Sequence, residues 1–150
     1  MKLAEALQAR ADLNTRIAQL KTRILNNTLV QEGEKTAENP EALIKQLNEC
    51  IAQLQELMTK INLTNSSVKA EGKTLTEWIA VRDTLKVRLS IYRDLVNEAS
   101  ALTYRARGTE IKIKSTVNVT KLQKEVDAMA KELRLVDNRI QETNWKTELK

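Results

Sequence analysis

The chain has 150 residues, of which 41% are hydrophobic, 30% charged and 3% aromatic, and it contains three Gly, one Pro, one Cys and no His. This composition, rich in straight-chain helix formers, predicts an all-α protein forming a single domain over residues 1–150, with a net charge of +5 interspersed along solvated helix faces. The absence of His excludes His-dependent catalytic triads and His-ligated metals, and a single Cys excludes a Cys-rich zinc site.

The first two predicted helices span residues 2–27 and 40–62. Apolar residues alternating three and four apart predict both helices, because that spacing places them on one face. The first seam is Leu3, Ala6, Leu13, Ile17, Leu20 and Ile24, interrupted by Arg10, and the second is Ile44, Leu47, Ile51, Leu54, Met58 and Ile61, widened by Leu43 and Leu57. Between them, residues 26–39 read as a surface loop, and Asn39 is expected to cap a helix that begins at Pro40.

A third helix is predicted over residues 75–105. Thr74 and Glu77 have capping-box spacing after a turn-rich segment. The seam is Leu75, Trp78, Leu85, Leu89, Tyr92, Val96 and Ala99, interrupted by Arg82. A helix of about 30 residues would be about 45 Å long, which favours packing along another long helix or a second subunit.

The last helix is predicted over residues 119–145, capped by Asn118. Its seam is Val119, Leu122, Val126, Met129, Leu133, Val136 and Ile140. Before it, one short extended segment is predicted near residues 109–117, where Ile111 and Ile113 alternate with charged residues. This segment is a loop, pairs with residues 28–35, or pairs with another subunit. The expected fold is therefore a four-helix bundle or coiled coil of long antiparallel helices.

Catalysis is not predicted. Gly33, Gly72 and Gly108 lie too far apart to form a phosphate-binding loop. Cys50 is expected to be a structural thiol within a helix, because no His is available to activate it. We therefore expect no enzyme activity, no catalytic residue, no cofactor, no metal site and no small-molecule substrate.

Two arginines and a basic stretch are the candidate functional residues. Arg10 and Arg82 each replace an apolar residue on a seam, which favours a structural ion pair, although Arg82 and Asp83 are also a candidate anion-binding spot. The densest basic stretch, between residues 105 and 124, is an alternative polyanion-binding surface whose members are Arg105, Arg107, Lys112, Lys114, Lys121 and Lys124. Nucleic acid is not favoured, because Tyr104 is the only nearby aromatic residue and Glu110 and Glu125 dilute the charge. Membrane binding is not favoured either, because the polar faces are of mixed sign.

Three stretches of the chain resemble a bacterial family of small helical proteins of uncharacterised function, some of which are labelled septicolysin. They read MKLAEALQARADLNTRIAQL, GKTLTEWIAVRDTLKVRLS and EIKIKSTVNVTKLQKEVDAMAKELRLVDNRIQETNW. The resemblance includes non-periodic pieces such as Arg82-Asp83 and residues 141–145. It implies a helical homo-oligomer, a hexamer or dimer of trimers, and it supplies no catalytic residue. The label itself implies a membrane-active toxin, which is a minor alternative because such cytolysins are large, β-rich proteins.

The sequence therefore predicts a structural or interaction protein that self-assembles into a homo-oligomer. The N-terminal segment meets Glu5 and Arg10 before any apolar run develops, so no secretory signal is expected and a cytoplasmic location is the simplest expectation. Polyanion binding through residues 105–124 is the alternative from a different functional class.

Overall fold

The computed structural model of the chain describes residues 1–101 and 111–150. Within these ranges there are four α-helices, α1 (Leu3–Asn26), α2 (Pro40–Ser67), α3 (Leu75–Ser100) and α4 (Val119–Lys146), and two short strands, β1 (Lys69–Ala70) and β2 (Lys73–Thr74). The prediction of an all-α fold is confirmed. The predicted extension of the third helix to Arg105 lies outside the described residues.

The predicted helix starts are confirmed by their capping contacts. The Asn39 side chain accepts a hydrogen bond from the backbone N–H of Glu41 at 3.0 Å, ahead of Pro40 at the first helical position. Thr74 and Glu77 form a reciprocal capping box at the start of α3. Asn118 Oδ1 accepts from the backbone N–H of Lys121 at 3.0 Å. These contacts satisfy amide groups that a helix leaves unpaired at its first turn.

One detail of the prediction is wrong. Helix α2 ends at Ser67 and not near residue 62, because side-chain hydroxyls within the supposed turn bond to carbonyls of the helix, as Thr64 does to Lys60 and Ser67 to Leu63. The described part of the predicted extended segment, residues 111–117, is a loop, which is one of the three alternatives that the sequence left open, and residues 28–35 form no strand with it. Ile111 and Ile113 are both exposed, and pairing of this segment with another subunit stays a prediction.

The described residues divide into two compact units. Unit 1 comprises residues 1–69 and 142–150, and unit 2 comprises residues 70–141. Helix α4 contributes to both, since the boundary falls between Gln141 and Glu142. The prediction of a single domain stays a prediction.

Unit 1 is built on an antiparallel hairpin of α1 and α2. Leu20 from α1 packs with Leu43 and Cys50 from α2, supported by Leu13, Ile17, Ile24 and Leu47. Cys50 is buried in this core, in agreement with a structural thiol. At the loop end of the hairpin, Arg23 forms an ion pair with Glu38, and the hydrogen bond that its guanidinium donates lowers the pKa of the Glu38 carboxyl.

The chain ends of unit 1 pair with each other. Lys2 and Glu148 form an antiparallel bridge, and the N–H of Leu3 donates to the carbonyl of Thr147 at 2.9 Å. The N–H of Lys150 donates to the hydroxyl of Thr64, which is fully buried on α2, at 3.0 Å. The last residues of the chain are therefore held against the hairpin by backbone hydrogen bonds.

Unit 2 packs α3 along the first part of α4. Its core cluster consists of Leu85, Leu89 and Val96 from α3 with Val126 and Met129 from α4. All five are seam residues of the sequence prediction, so the periodicity identified this core correctly.

The strands β1 and β2 form a hairpin in front of α3 that the sequence analysis treated as a loop. Its two-residue turn is Glu71 and Gly72, which both have positive φ angles, +48° and +84°. This combination is typical of the type I′ turn, in which Gly is favoured.

Candidate self-association surface

The described residues present no metal centre. Within residues 1–101 and 111–150, no group of three Cys, Asp or Glu side chains is arranged to hold a metal ion. In the same ranges, no helix has the length and apolar character needed to cross a membrane. The candidate functional surfaces of the described residues are charged clusters and exposed apolar faces.

Arg82 and Asp83, the predicted anion-binding spot, contact each other. Arg82 Nε lies 3.0 Å from Asp83 Oδ1, and its Nη1 lies 4.0 Å from Asp137 Oδ1 on α4. Arg82 is half-buried while both carboxylates are more exposed. The two carboxylates neutralise the positive charge of Arg82 that would otherwise attract an anion. The arrangement therefore favours a structural ion pair.

The structure does not bring the other candidate anion-binding residues to Arg82. Arg105 and Arg107 lie outside the described residues. Lys112 is exposed on the segment before α4, and Lys114 borders a shallow groove of about 200 Å³ beside Leu95. Leu95 lies 13 residues beyond Arg82 on α3, which corresponds to about 20 Å of helix. Anion binding at these residues stays a prediction.

Replacement of Arg82 by methionine is expected to leave helix content unchanged and to alter the free energy of unfolding by less than about 1 kcal/mol, because ion pairs at this exposure contribute little. Methionine retains an apolar stem that packs where the arginine stem does. Urea denaturation followed by circular dichroism measures the change. A loss of more than about 3 kcal/mol would instead show that the Arg82 pair is a buried structural element.

Helix α2 carries a second apolar stripe that nothing in the described structure covers. Ile44, Ile51 and Met58 are 43%, 45% and 43% exposed, although the sequence analysis placed all three on the buried seam. The buried residues are Leu43, Cys50, Ile61 and Thr64, so the prediction of an apolar face is confirmed at Ile61 and Leu43. The predicted burial of Ile44, Ile51 and Met58 is wrong because α2 has two overlapping apolar rows. Helix α1 covers the row that lies about 100° round the helix from Ile51. We name Ile44, Ile51 and Met58 the α2 stripe.

The surroundings of the α2 stripe carry little charge: Glu41, in the first turn of the helix, is the charged residue within this sector, and Lys45 borders it. The exposed residues interleaved with it are Asn48, Ala52, Gln55, Thr59 and Asn62. In a chain that is 30% charged, an exposed helix face without Lys, Arg, Asp or Glu over these positions is unusual. Depletion of charge around apolar side chains is typical of the central part of a protein–protein interface.

Helix α1 presents a matching stripe on the same side of the hairpin. About 100° round α1 from its contact with α2 lies a second row of residues spaced three and four apart. Because the two helices are antiparallel, this row lies on the same side of the hairpin as the α2 stripe. We name this series the α1 stripe; its members are Leu7, Ala11, Asn14, Ala18, Lys21 and Leu25. Only Lys21 is charged, and Leu25 is 63% exposed. Together, the α1 stripe and the α2 stripe form what we name the apolar face of the hairpin.

The opposite side of the hairpin is polar and charged. Glu56 and Lys60 form an i,i+4 ion pair at 2.7 Å there, and the hydrogen bond from Lys60 lowers the pKa of the Glu56 carboxyl. A groove of about 480 Å³ on this side is lined by Ala9, Leu13, Gln53 and Leu57 as well as by this pair. The two sides of the hairpin therefore differ in charge, although the groove on the charged side also has apolar lining residues, including Met1 and Leu149.

Unit 2 also has exposed apolar residues on α3, but their setting differs. Val87, Ile91 and Leu95 are exposed and share one side of the helix. Charged residues flank them at Asp83, Arg88, Asp94 and Glu98. This arrangement resembles an ordinary solvated surface, in which single apolar residues are common. The apolar face of unit 1 is the better candidate interface.

Comparisons with known proteins yield a family but no described activity. A family described as "Family of unknown function (DUF6847)" matches residues 10–149. A solved structure described as a functionally unknown conserved protein from Corynebacterium diphtheriae is 37% identical, with a TM-score of 0.92, and the match covers 100% of this chain and 99% of that one. Neither description mentions septicolysin. No curated protein matches the chain.

Proposed function

We propose that this chain, which belongs to the DUF6847 family of unknown function, is a non-enzymatic cytoplasmic protein whose biochemical activity is self-assembly into a homo-oligomer. The observation that carries the proposal is the apolar face of the α1–α2 hairpin. Its α2 stripe exposes three large apolar side chains in a sector whose charged residue, Glu41, lies at the N-terminal end of the helix. Monomeric proteins rarely expose large contiguous apolar patches to water. Large patches of this kind usually mark sites of interaction with another protein or with a membrane.

The size of the apolar face fits an interface between subunits. Helices α1 and α2 have 24 and 28 residues, so the hairpin is about 36 to 42 Å long. Two helices packed about 8–10 Å apart present a side about 20 Å wide, so this whole side of the hairpin, including the polar residues beyond the ends of the two stripes, covers roughly 700 to 800 Å² per subunit. A stable complex buries about 800 Å² per partner, so the whole face is needed and one helix alone is too small.

Replacement of Ile51 by arginine tests the proposal. We expect wild-type protein to be a discrete oligomer by light scattering on a size-exclusion column at low and at high salt. The arginine places an unpaired charge in the middle of the apolar face, which weakens association by at least about 100-fold, or roughly 3 kcal/mol. Gln53→Arg is the matched control, because Gln53 lies on the charged side of the same helix turn.

The outcomes separate the proposal from its alternatives. A wild-type monomer at tens of micromolar, or equal dissociation in both variants, would contradict self-assembly through this face. A complex whose absorbance ratio reveals nucleic acid that high salt releases would favour polyanion binding by residues 105–124. Leakage of liposomes exposed to the purified protein would favour a membrane-active toxin.

A further inference from the structure

We propose, building on the self-assembly above, that two copies of the chain pack their apolar faces together about a two-fold axis that passes beside Ile51, with each α2 antiparallel to its copy. The product is a four-helix bundle made of two α1–α2 hairpins. The partner in this proposal is a second copy of the same chain.

The spacing of the α2 stripe supports a two-fold axis at this position. Ile44 precedes Ile51 by seven residues and Met58 follows it by seven, so the stripe is symmetric in position about Ile51. An antiparallel copy therefore sets Ile51 beside its counterpart and Ile44 beside Met58 at both ends. An interface formed by the same patch on both subunits requires this kind of self-complementarity.

The two seams of α2 support a bundle. The buried seam and the α2 stripe lie about 100° apart, and they share Leu47, Leu54 and Ile61. A helix in a four-helix bundle contacts two neighbours at nearly this angle. Within the described residues of unit 1, α1 supplies one neighbour of α2, and a second copy supplies the other along a continuous apolar surface.

Helix α1 is suited to the same axis. Leu13 packs in the cluster that contains Cys50, so the middle of the α1 stripe lies level with Ile51. The residues at this level are Ala11 and Asn14, which are small enough to allow a close helix crossing. Leu7 then faces the smaller Ala18 of the copy. All neighbouring helices in the bundle run antiparallel, which is favourable for their dipoles.

Disulfide trapping tests the position of the axis. In a Cys50→Ala background, Ile51→Cys is expected to form an intermolecular disulfide under mild oxidation. Helix axes 8–10 Å apart, less two Cα radii of about 2.3 Å, leave the two Cα atoms about 3.4 to 5.4 Å apart, and the upper part of this range overlaps the roughly 4.4–6.8 Å that a disulfide spans. Gln53→Cys in the same background is the matched control and should remain largely reduced.

A second pair of variants checks the direction of the helices. A mixture of the Ile44→Cys and Met58→Cys proteins, both in the Cys50→Ala background, should form the mixed disulfide at least about 10-fold more efficiently than either protein alone, because only the mixed pair is aligned.

Failure of the inference can be distinguished from failure of the proposed function. If light scattering shows an oligomer but Ile51→Cys cross-links no better than Gln53→Cys, the two-fold arrangement is overturned and self-assembly stands. The same holds if Ile44→Cys cross-links to itself, because α2 would then run parallel to its copy. If the Cys50→Ala protein and the wild type are both monomers, the inference and the proposed function fall together.

Discussion

Replacement of Trp78 by alanine is expected to lower the free energy of unfolding of unit 2 by about 3–5 kcal/mol, the usual cost of deleting a buried aromatic side chain. Trp78 is 8% exposed at the start of α3. Its indole N–H donates a hydrogen bond to the carbonyl of Ala70 in β1 at 2.7 Å. The side chain therefore anchors the β1–β2 hairpin to the helix through both its apolar ring and its polar edge.

Two cations contact the same indole ring. The Lys73 ammonium lies 4.7 Å and the Arg139 guanidinium carbon 4.4 Å from the ring centroid. Arg139 also forms an ion pair with Glu71, at the turn of the hairpin, at 2.8 Å. Alanine at position 78 removes the ring that these cations contact, so the loss extends beyond apolar burial.

Trp78→Phe is the matched control for the hydrogen bond. Phenylalanine keeps an aromatic ring but removes the N–H donor, so we expect a smaller loss of about 1–3 kcal/mol from the unsatisfied Ala70 carbonyl and the lost volume. Urea denaturation followed by circular dichroism at 222 nm measures both variants. An alanine variant within 1 kcal/mol of wild type would show that the hairpin is not anchored by this residue.

Local chemistry made the helix starts predictable. The capping contacts at Asn39, Thr74 and Asn118 each involve residues two or three apart in the chain, so the sequence contains both partners. The end of α2 was misplaced because Thr64 and Ser67, which are frequent in turns, direct their hydroxyls to helix carbonyls. Periodicity alone did not reveal that choice.

Long-range contacts were beyond the sequence analysis. Trp78 and Arg139 are 61 residues apart, and nothing in the local pattern of either predicts their contact. The Glu71-Gly72 pair between short strands was a usable signal for a two-residue hairpin turn, although a weaker one than Asn-Gly. The candidate interface was missed for a similar reason, since periodicity shows that α2 has apolar faces but not which one α1 covers.

The choice between the two seams of α2 can be measured at neighbouring residues. Leu43 is 3% exposed in the core with α1, whereas Ile44 is 43% exposed on the α2 stripe. We expect Leu43→Ala to lower the free energy of unfolding by about 2–5 kcal/mol. We expect Ile44→Ala to cost about 1 kcal/mol or less, because its side chain is already partly hydrated and alanine is the better helix former.

Both substitutions are best made in the Ile51→Arg background, where association does not add to the stability of the hairpin. Urea denaturation at two protein concentrations then reports unfolding without a contribution from association. A larger loss for Ile44→Ala than for Leu43→Ala would mean that the seam predicted from periodicity is the true core. In the chain with native Ile51, the same Ile44→Ala change should additionally shift the oligomer toward monomer, since Ile44 contributes there to the contact between subunits. If the loss of unfolding free energy depends on protein concentration for Ile44→Ala and not for Leu43→Ala, Ile44 lies in the contact between subunits and Leu43 in the core of the hairpin.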